Sequence, residues 1–248
     1  MKKIWRYLLI GSLALVLIGG SGFVVWAANP SQPAPQALES LQAYDSVLFE
    51  QVNDWLVFTP INSVPNVGLI LYPGGRVDYR AYTPHARAIA SQGFFVAVVP
   101  MPLNLAFFGL GRAADVIAAY PEIDHWAIGG HSLGGAMAAE FVRANANQVD
   151  GLVLWASYPG GNNDLSASRL PVLSVYADND GLATLADIAD SRTRLPADTT
   201  FIEISGGNHA GFGWYGDQQG DGQAVLSKTE QQDLIVQATV AFLQTIGQ

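Results

Sequence analysis

Cysteine is absent from all 248 residues. That excludes disulfide scaffolds, Cys-based zinc sites and thiol nucleophiles, and leaves Ser, Asp, Glu and His as side chains able to carry nucleophilic or acid–base chemistry. Basic residues are scarce, with 12 Lys plus Arg against 21 Asp plus Glu and a net charge of −9. A nucleic-acid partner is thereby disfavoured, since binding it requires Lys and Arg to neutralise phosphates. Half of the residues are hydrophobic, enough at this length to bury the core of one domain and too many for a disordered chain. No internal repeat occurs.

The charge is unevenly spread. Lys2, Lys3 and Arg6 precede a run from Tyr7 to Ala28 without a charged residue, 22 positions long. As a helix rising about 1.5 Å per residue, that run is long enough to cross a bilayer. Residues 1–28 therefore read as a signal anchor or a cleaved signal peptide. Val25-Trp26-Ala27 offers a small-residue cleavage site, but the apolar run exceeds the roughly 7–15 residues of a usual signal core, which favours the anchor. Either way the basic end stays in the cytoplasm and the body is delivered outside it. Residues 29–37, opening Asn29-Pro-Ser-Gln-Pro-Ala-Pro35, form an extended Pro-rich linker, and residues 38–248 the folded domain. That body holds 9 basic against 21 acidic residues, a net charge of −12, with Lys228 its only lysine.

Within the body, strand-like and helix-like segments alternate. Ser46–Glu50 and Trp55–Thr59 read as a short antiparallel pair. Continuous apolar runs of the buried parallel-strand kind follow at Val67–Tyr72, Phe94–Val99, Trp126–Gly129, Gly151–Ala156, Pro171–Tyr176 and Thr200–Ile204. Helical spacing occupies Tyr82–Ser91, Gly111–Ala119, Leu133–Ala144 and Gln231–Ile246, and more weakly Leu182–Ser191. The alternation predicts an α/β fold, a mostly parallel central sheet covered by helices on both faces.

Gly130-His131-Ser132-Leu133-Gly134 fits Gly-x-Ser-x-Gly, the nucleophile elbow, in which a serine sits on a tight strand-to-helix turn. The motif is short, and its context gives it weight. It follows an apolar strand and opens the Ala-rich helix beginning at Leu133, which makes Ser132 the candidate nucleophile. A serine hydroxyl needs a base to take its proton, and the elbow's chain order places an acid and then a histidine after it. Of four histidines, His85 and His125 precede the serine and His131 belongs to the elbow, leaving His209 in a Gly-rich loop after the last strand. The acid falls in the loop after Pro171–Tyr176, where Asp178 and Asp180 compete; Asp180, two residues further into the turn and beside Gly181, is favoured. Such chemistry needs no cofactor and no metal. Asp217 and Asp221 in Trp214–Gly222 loosely suggest calcium, but their spacing fits no EF-hand and the segment reads as a polar turn-rich loop.

Five segments, Tyr72–Asp78, Pro100–Ala106, Gly130–Met137, Asp180–Ala183 and Gly207–Gly213, resemble the α/β-hydrolase superfamily, and within it a small cap-less group of bacterial extracytoplasmic hydrolases. The resemblance covers essentially residues 44 to 246. It implies an oxyanion hole built from the backbone N–H groups of Leu133 and of the Gly74-Gly75 turn, with Gly75 the favoured donor. One position departs from the family pattern: Ala177 stands three residues before the acid, where relatives often carry Gly. Only Ser157–Leu170 separates two strands where larger relatives insert a cap, so an open site is implied, shielded at most by the apolar Met101–Phe108 loop, which either lines an acyl pocket or packs at the sheet edge. Together these features predict a serine hydrolase acting on a small-molecule ester, extracytoplasmic and attached to the membrane by its N-terminal helix. Lipase, peptidase, lactonase and acyltransferase chemistry would use the same three side chains. A noncatalytic binding protein on the same fold is the rival from another class.

Overall fold

The computed structural model describes residues 2–42 and 46–248. Positions 44 and 45, at the start of the stretch that resembles hydrolases, lie outside the described residues, as do the side chains of Lys2, Lys3 and Arg6.

The leader forms a helix, α1 (Lys2–Ala27), whose described side chains from Leu9 to Trp26 are largely exposed. Among the described residues, no helix is long and apolar enough to cross a membrane. The chain then runs extended to Ala34 and turns into a short helix, α2 (Pro35–Glu39), with proline in its first turn, where a missing N–H costs nothing.

Eight strands follow in one sheet: β1 (Val47–Val52), β2 (Trp55–Pro60), β3 (Val67–Tyr72), β4 (Phe95–Val98), β5 (His125–His131), β6 (Gly151–Trp155), β7 (Val172–Ala177) and β8 (Thr200–Ile204). Their order across the sheet is β1-β2-β4-β3-β5-β6-β7-β8. The β1–β2 and β2–β4 pairs are antiparallel and every later pair is parallel. This is the mostly parallel sheet that the alternating pattern predicts, and it agrees with the α/β-hydrolase fold that the resemblance implies. Alternate residues of each strand enter opposite layers. Leu69 and Leu71 face Ala86 and Ile89 of α3 (Thr83–Ala90) and Ile235 and Phe242 of the last helix. Ile70 and Tyr72 face Val116 of α4 (Arg112–Ala119) and Ala138 and Phe141 of α5 (Leu133–Ala144). All these residues are buried, each Leu, Ile, Val and Phe side chain contributing about 1.5–3 kcal/mol.

The helices depart from expectation at their starts, where caps decide. α6 (Leu185–Ser191) opens on a capping box between Thr184 and Asp187, and α7 (Lys228–Leu243) on one between Ser227 and Glu230, three residues ahead of the predicted Gln231. Residues 156–171 contain no helix or strand and form no cap over the sheet. The Met101–Phe108 loop packs Met101, Leu105 and Ala106 into the body and leaves Phe107 and Phe108 half-exposed.

Candidate active site

The carboxyl ends of β3, β5, β7 and β8 converge on one edge, the side where open α/β sheets bind ligands. Ser132 follows β5 directly with φ 52° and ψ −122°, a left-handed conformation costing a non-glycine residue about 1–3 kcal/mol. Small neighbours make room for it: a Cβ at Gly130 would lie 2.5 Å from the Tyr72 carbonyl oxygen, and one at Gly134 would collide with the same atom. The turn is pinned from β6. The Ser132 N–H donates to Trp155 O at 2.9 Å and the Ser157 hydroxyl donates to Ser132 O at 2.6 Å.

His209 and Asp180 are both buried, and His209 Nδ1 lies 2.8 Å from Asp180 Oδ2. The second carboxylate oxygen, Oδ1, accepts the N–H groups of Leu182 and Ala183 at 2.8 and 2.7 Å, which fixes the plane of the carboxylate. Asp178 does not meet the histidine; its Oδ1 accepts the Gly206 N–H at 2.6 Å and ties the acid loop to the start of the histidine loop. The other ring nitrogen, His209 Nε2, is buried without a hydrogen-bond partner among the described residues. It belongs to a residue that shares one cavity with Ser132, a space of about 280 Å³ also lined by Leu133, Ala136, Ala156, Ser157, Tyr158, Leu182 and Ala183. No residue of Met101–Phe108 lines this cavity.

The two implied oxyanion donors are adjacent. A Cβ at Gly75 would stand 3.1 Å from Leu133 Cδ2. Within the turn, the Gly74 N–H donates to Tyr82 Oη at 2.9 Å and the Arg76 N–H to Asn104 O at 2.7 Å, while the Gly75 N–H has no partner among the described residues. Of the Gly74-Gly75 pair, then, Gly75 holds the free donor.

Three supporting residues escape sequence reasoning. Tyr82 and His131 form a buried link: Tyr82 Oη accepts the Gly74 N–H and lies 2.8 Å from His131 Nδ1. Burial, with His209 alongside at 4.5 Å between ring centroids, holds the His131 pKa well below the ordinary histidine value. Buried His85, against Trp155, is likewise pushed down to about 3. The third is Asp221. Its carboxylate accepts the N–H groups of His209 (3.1 Å), Ala210 (2.8 Å) and Gly181 (3.2 Å), joining the histidine and acid loops. The aspartate that hinted at calcium is thus occupied by backbone, and among the described residues no three His, Asp or Glu side chains group to hold a metal ion. Lys228, the lone lysine of the body, donates to the carbonyls of Ala210, Gly213 and Tyr215 at 3.1, 3.2 and 2.7 Å, and burial lowers its pKa. Its isolation in the sequence was the one signal that it serves a specific purpose.

Residues 68–233 match the profile of the Alpha/beta hydrolase family. No curated protein matches the chain. Among solved structures, the fold is similar to a predicted CIB-like hydrolase from Thermoplasma acidophilum, with TM-score 0.55 and 18% identity over 80% of this chain and 97% of that one. It is also similar to an esterase domain from Rhodothermus marinus, with TM-score 0.59 and 14% identity over 81% and 98%. At these identities the likeness concerns the fold.

Proposed function

We propose, from the premise that this chain belongs to the alpha/beta hydrolase family, that it is a serine hydrolase cleaving small carboxylic esters through an acyl-enzyme. The observation that carries the reading is the strained, half-buried Ser132 sharing one cavity with a histidine whose far nitrogen is 2.8 Å from a buried carboxylate. Ser132 Oγ attacks the acyl carbonyl as His209 Nε2 takes its proton. The N–H groups of Leu133 and Gly75 stabilise the oxyanion, and Asp180 holds the imidazolium. Collapse expels the alcohol with the proton from His209, and water repeats the sequence to release the acid. Binding alone would not need the strained elbow.

Substrate size follows from the cavity. At about 280 Å³ it lies below the roughly 300–1,000 Å³ of sites that enclose drug-sized ligands. Its walls next to Ser132, namely Leu133, Ala136, Ala156, Leu182 and Ala183, suit a short apolar acyl group. On p-nitrophenyl esters of increasing acyl length, kcat/KM is expected to climb while each CH₂ adds about 0.8 kcal/mol of burial, then fall beyond short to medium chains, without a jump at micelles. Efficiency still rising at long-chain esters, or micellar activation, would identify a lipase instead.

The same reading places the domain outside the cytoplasm, tethered by its leader; what supports it is the charge-free run behind Lys2, Lys3 and Arg6. Cell fractionation with N-terminal sequencing is expected to find the chain in the membrane fraction with its leader intact. A soluble exported product beginning near Ala28 would mean a cleaved signal.

A further inference from the structure

The segment read from sequence as a plain linker lies across two loops of the candidate active site. Ser31 forms a parallel bridge with Val77, its N–H donating to Arg76 O at 2.7 Å and its carbonyl accepting the Asp78 N–H at 3.0 Å. Two residues on, Pro33 bridges Tyr215, and the Ala34 N–H donates to Trp214 O at 2.8 Å. One face of this short stretch is thereby joined to the turn that carries Gly75, and the other end to the loop that follows His209.

Arg76 is where the strap grips hardest. It is a non-glycine residue with φ 54°, immediately after Gly75, and such a conformation persists only where surroundings over-determine it. The Arg76 guanidinium donates through Nε to Trp26 O (3.0 Å) and through Nη2 to Asn29 O (2.8 Å), and stacks over the Trp26 ring at 4.3 Å. Asn104, whose carbonyl accepts the Arg76 N–H, gives its own side-chain N–H to Ala27 O at 2.9 Å. The side chain and carbonyl of Arg76 are therefore held by residues 26–31, and its N–H by a residue that also holds the strap. Nothing in the sequence separation of roughly 50 residues hints at this.

We propose that residues 26–34 are a positioning strap of the active site, and that Arg76 is a positioning residue that transmits its hold to the Gly75 N–H. The inference rests on the hydrolase reading above. An oxyanion donor works only within about 2.7–3.1 Å of the developing charge, and a displacement near 1 Å can cost on the order of 10²-fold. Releasing Arg76 frees the turn to rotate the Gly75 N–H away from that point while the substrate cavity, to which neither Arg76 nor the strap contributes, stays as it is.

The test uses the full-length, detergent-solubilised chain, with kcat and KM on a short p-nitrophenyl ester, the rate of fluorophosphonate labelling, and thermal melting. Arg76→Ala is expected to lower kcat and labelling by about 10- to 100-fold with KM within about twofold. Arg76→Lys recovers part of that loss, because an ammonium can meet one carbonyl but not form the planar fork and stack. Ser31→Pro deletes the one strap N–H bonded to Arg76 O without touching the site, and is expected to lower kcat in the same sense; it decides the matter should Arg76→Ala melt early. A kcat within twofold of the parent in both Arg76→Ala and Ser31→Pro, or a fall in kcat that only follows lost folded protein, would overturn the strap. Turnover surviving in Ser132→Ala would instead overturn the hydrolase reading, so the two failures are distinguishable.

Discussion

Ser132→Ala is expected to remove fluorophosphonate labelling and to lower ester turnover by about 10⁴-fold or more, since in the proposed function the hydroxyl forms the covalent bond and members of such a triad act as a unit. The folded state should be little changed. Among the described residues Ser132 Oγ makes no hydrogen bond that holds the elbow; the turn is pinned instead by the backbone of Ser132 to Trp155 and Ser157. A companion substitution separates chemistry from folding in the other direction. Ser132→Gly, equally inactive, relieves the φ of 52° and should raise stability by about 1 kcal/mol, partly offset by the greater entropy of the unfolded chain. Denaturant melts of both variants, run beside the labelling assay, read the two effects apart. Undiminished labelling in Ser132→Ala would reject this residue as nucleophile.

Asp180→Asn is expected to lower kcat by roughly 10⁴-fold, and the geometry says why. Oδ1 of Asp180 is held by two donors, the N–H groups of Leu182 and Ala183, so an asparagine must keep its carbonyl oxygen there and turn its NH₂ towards His209. Facing an amide donor, Nδ1 must become the acceptor, which puts the ring proton on Nε2, the nitrogen required as a base. Asp178→Asn preserves an oxygen for the Gly206 N–H and should cost less than about tenfold. Steady-state kinetics on folded, purified variants give the ranking, and the reverse order would transfer the acid role to Asp178.

Much of the architecture was legible because it is written in local patterns. Apolar runs of strand length alternating with helical spacing predicted all eight strands, and their boundaries shifted by only a few residues. The early start of α7 came from the Ser227–Glu230 capping box, a local signal present in the sequence and outweighed by apolar periodicity. The elbow was likewise legible, since strand, tight turn and Ala-rich helix are consecutive and Gly130 and Gly134 leave the room that Ser132 needs. Histidine was reached by elimination among four.

Local patterning thus established the layering of helices and sheet and the residue types at the ends of the strands. Tertiary structure alone decided which of two aspartates two residues apart meets His209, which of two adjacent glycines keeps a free N–H, and what Asp221, Lys228 and the Pro-rich segment do. Each of these depends on partners brought together by packing: Asp180 with His209 across 29 positions, Asp221 with Gly181 across 40, and Arg76 with Trp26 across 50. Periodicity reports only whether a residue faces the core, because burial is read from neighbours three or four positions away. A hydrogen bond between loops depends on the direction of a single donor or acceptor, and that direction exists only once the sheet has set the loops side by side.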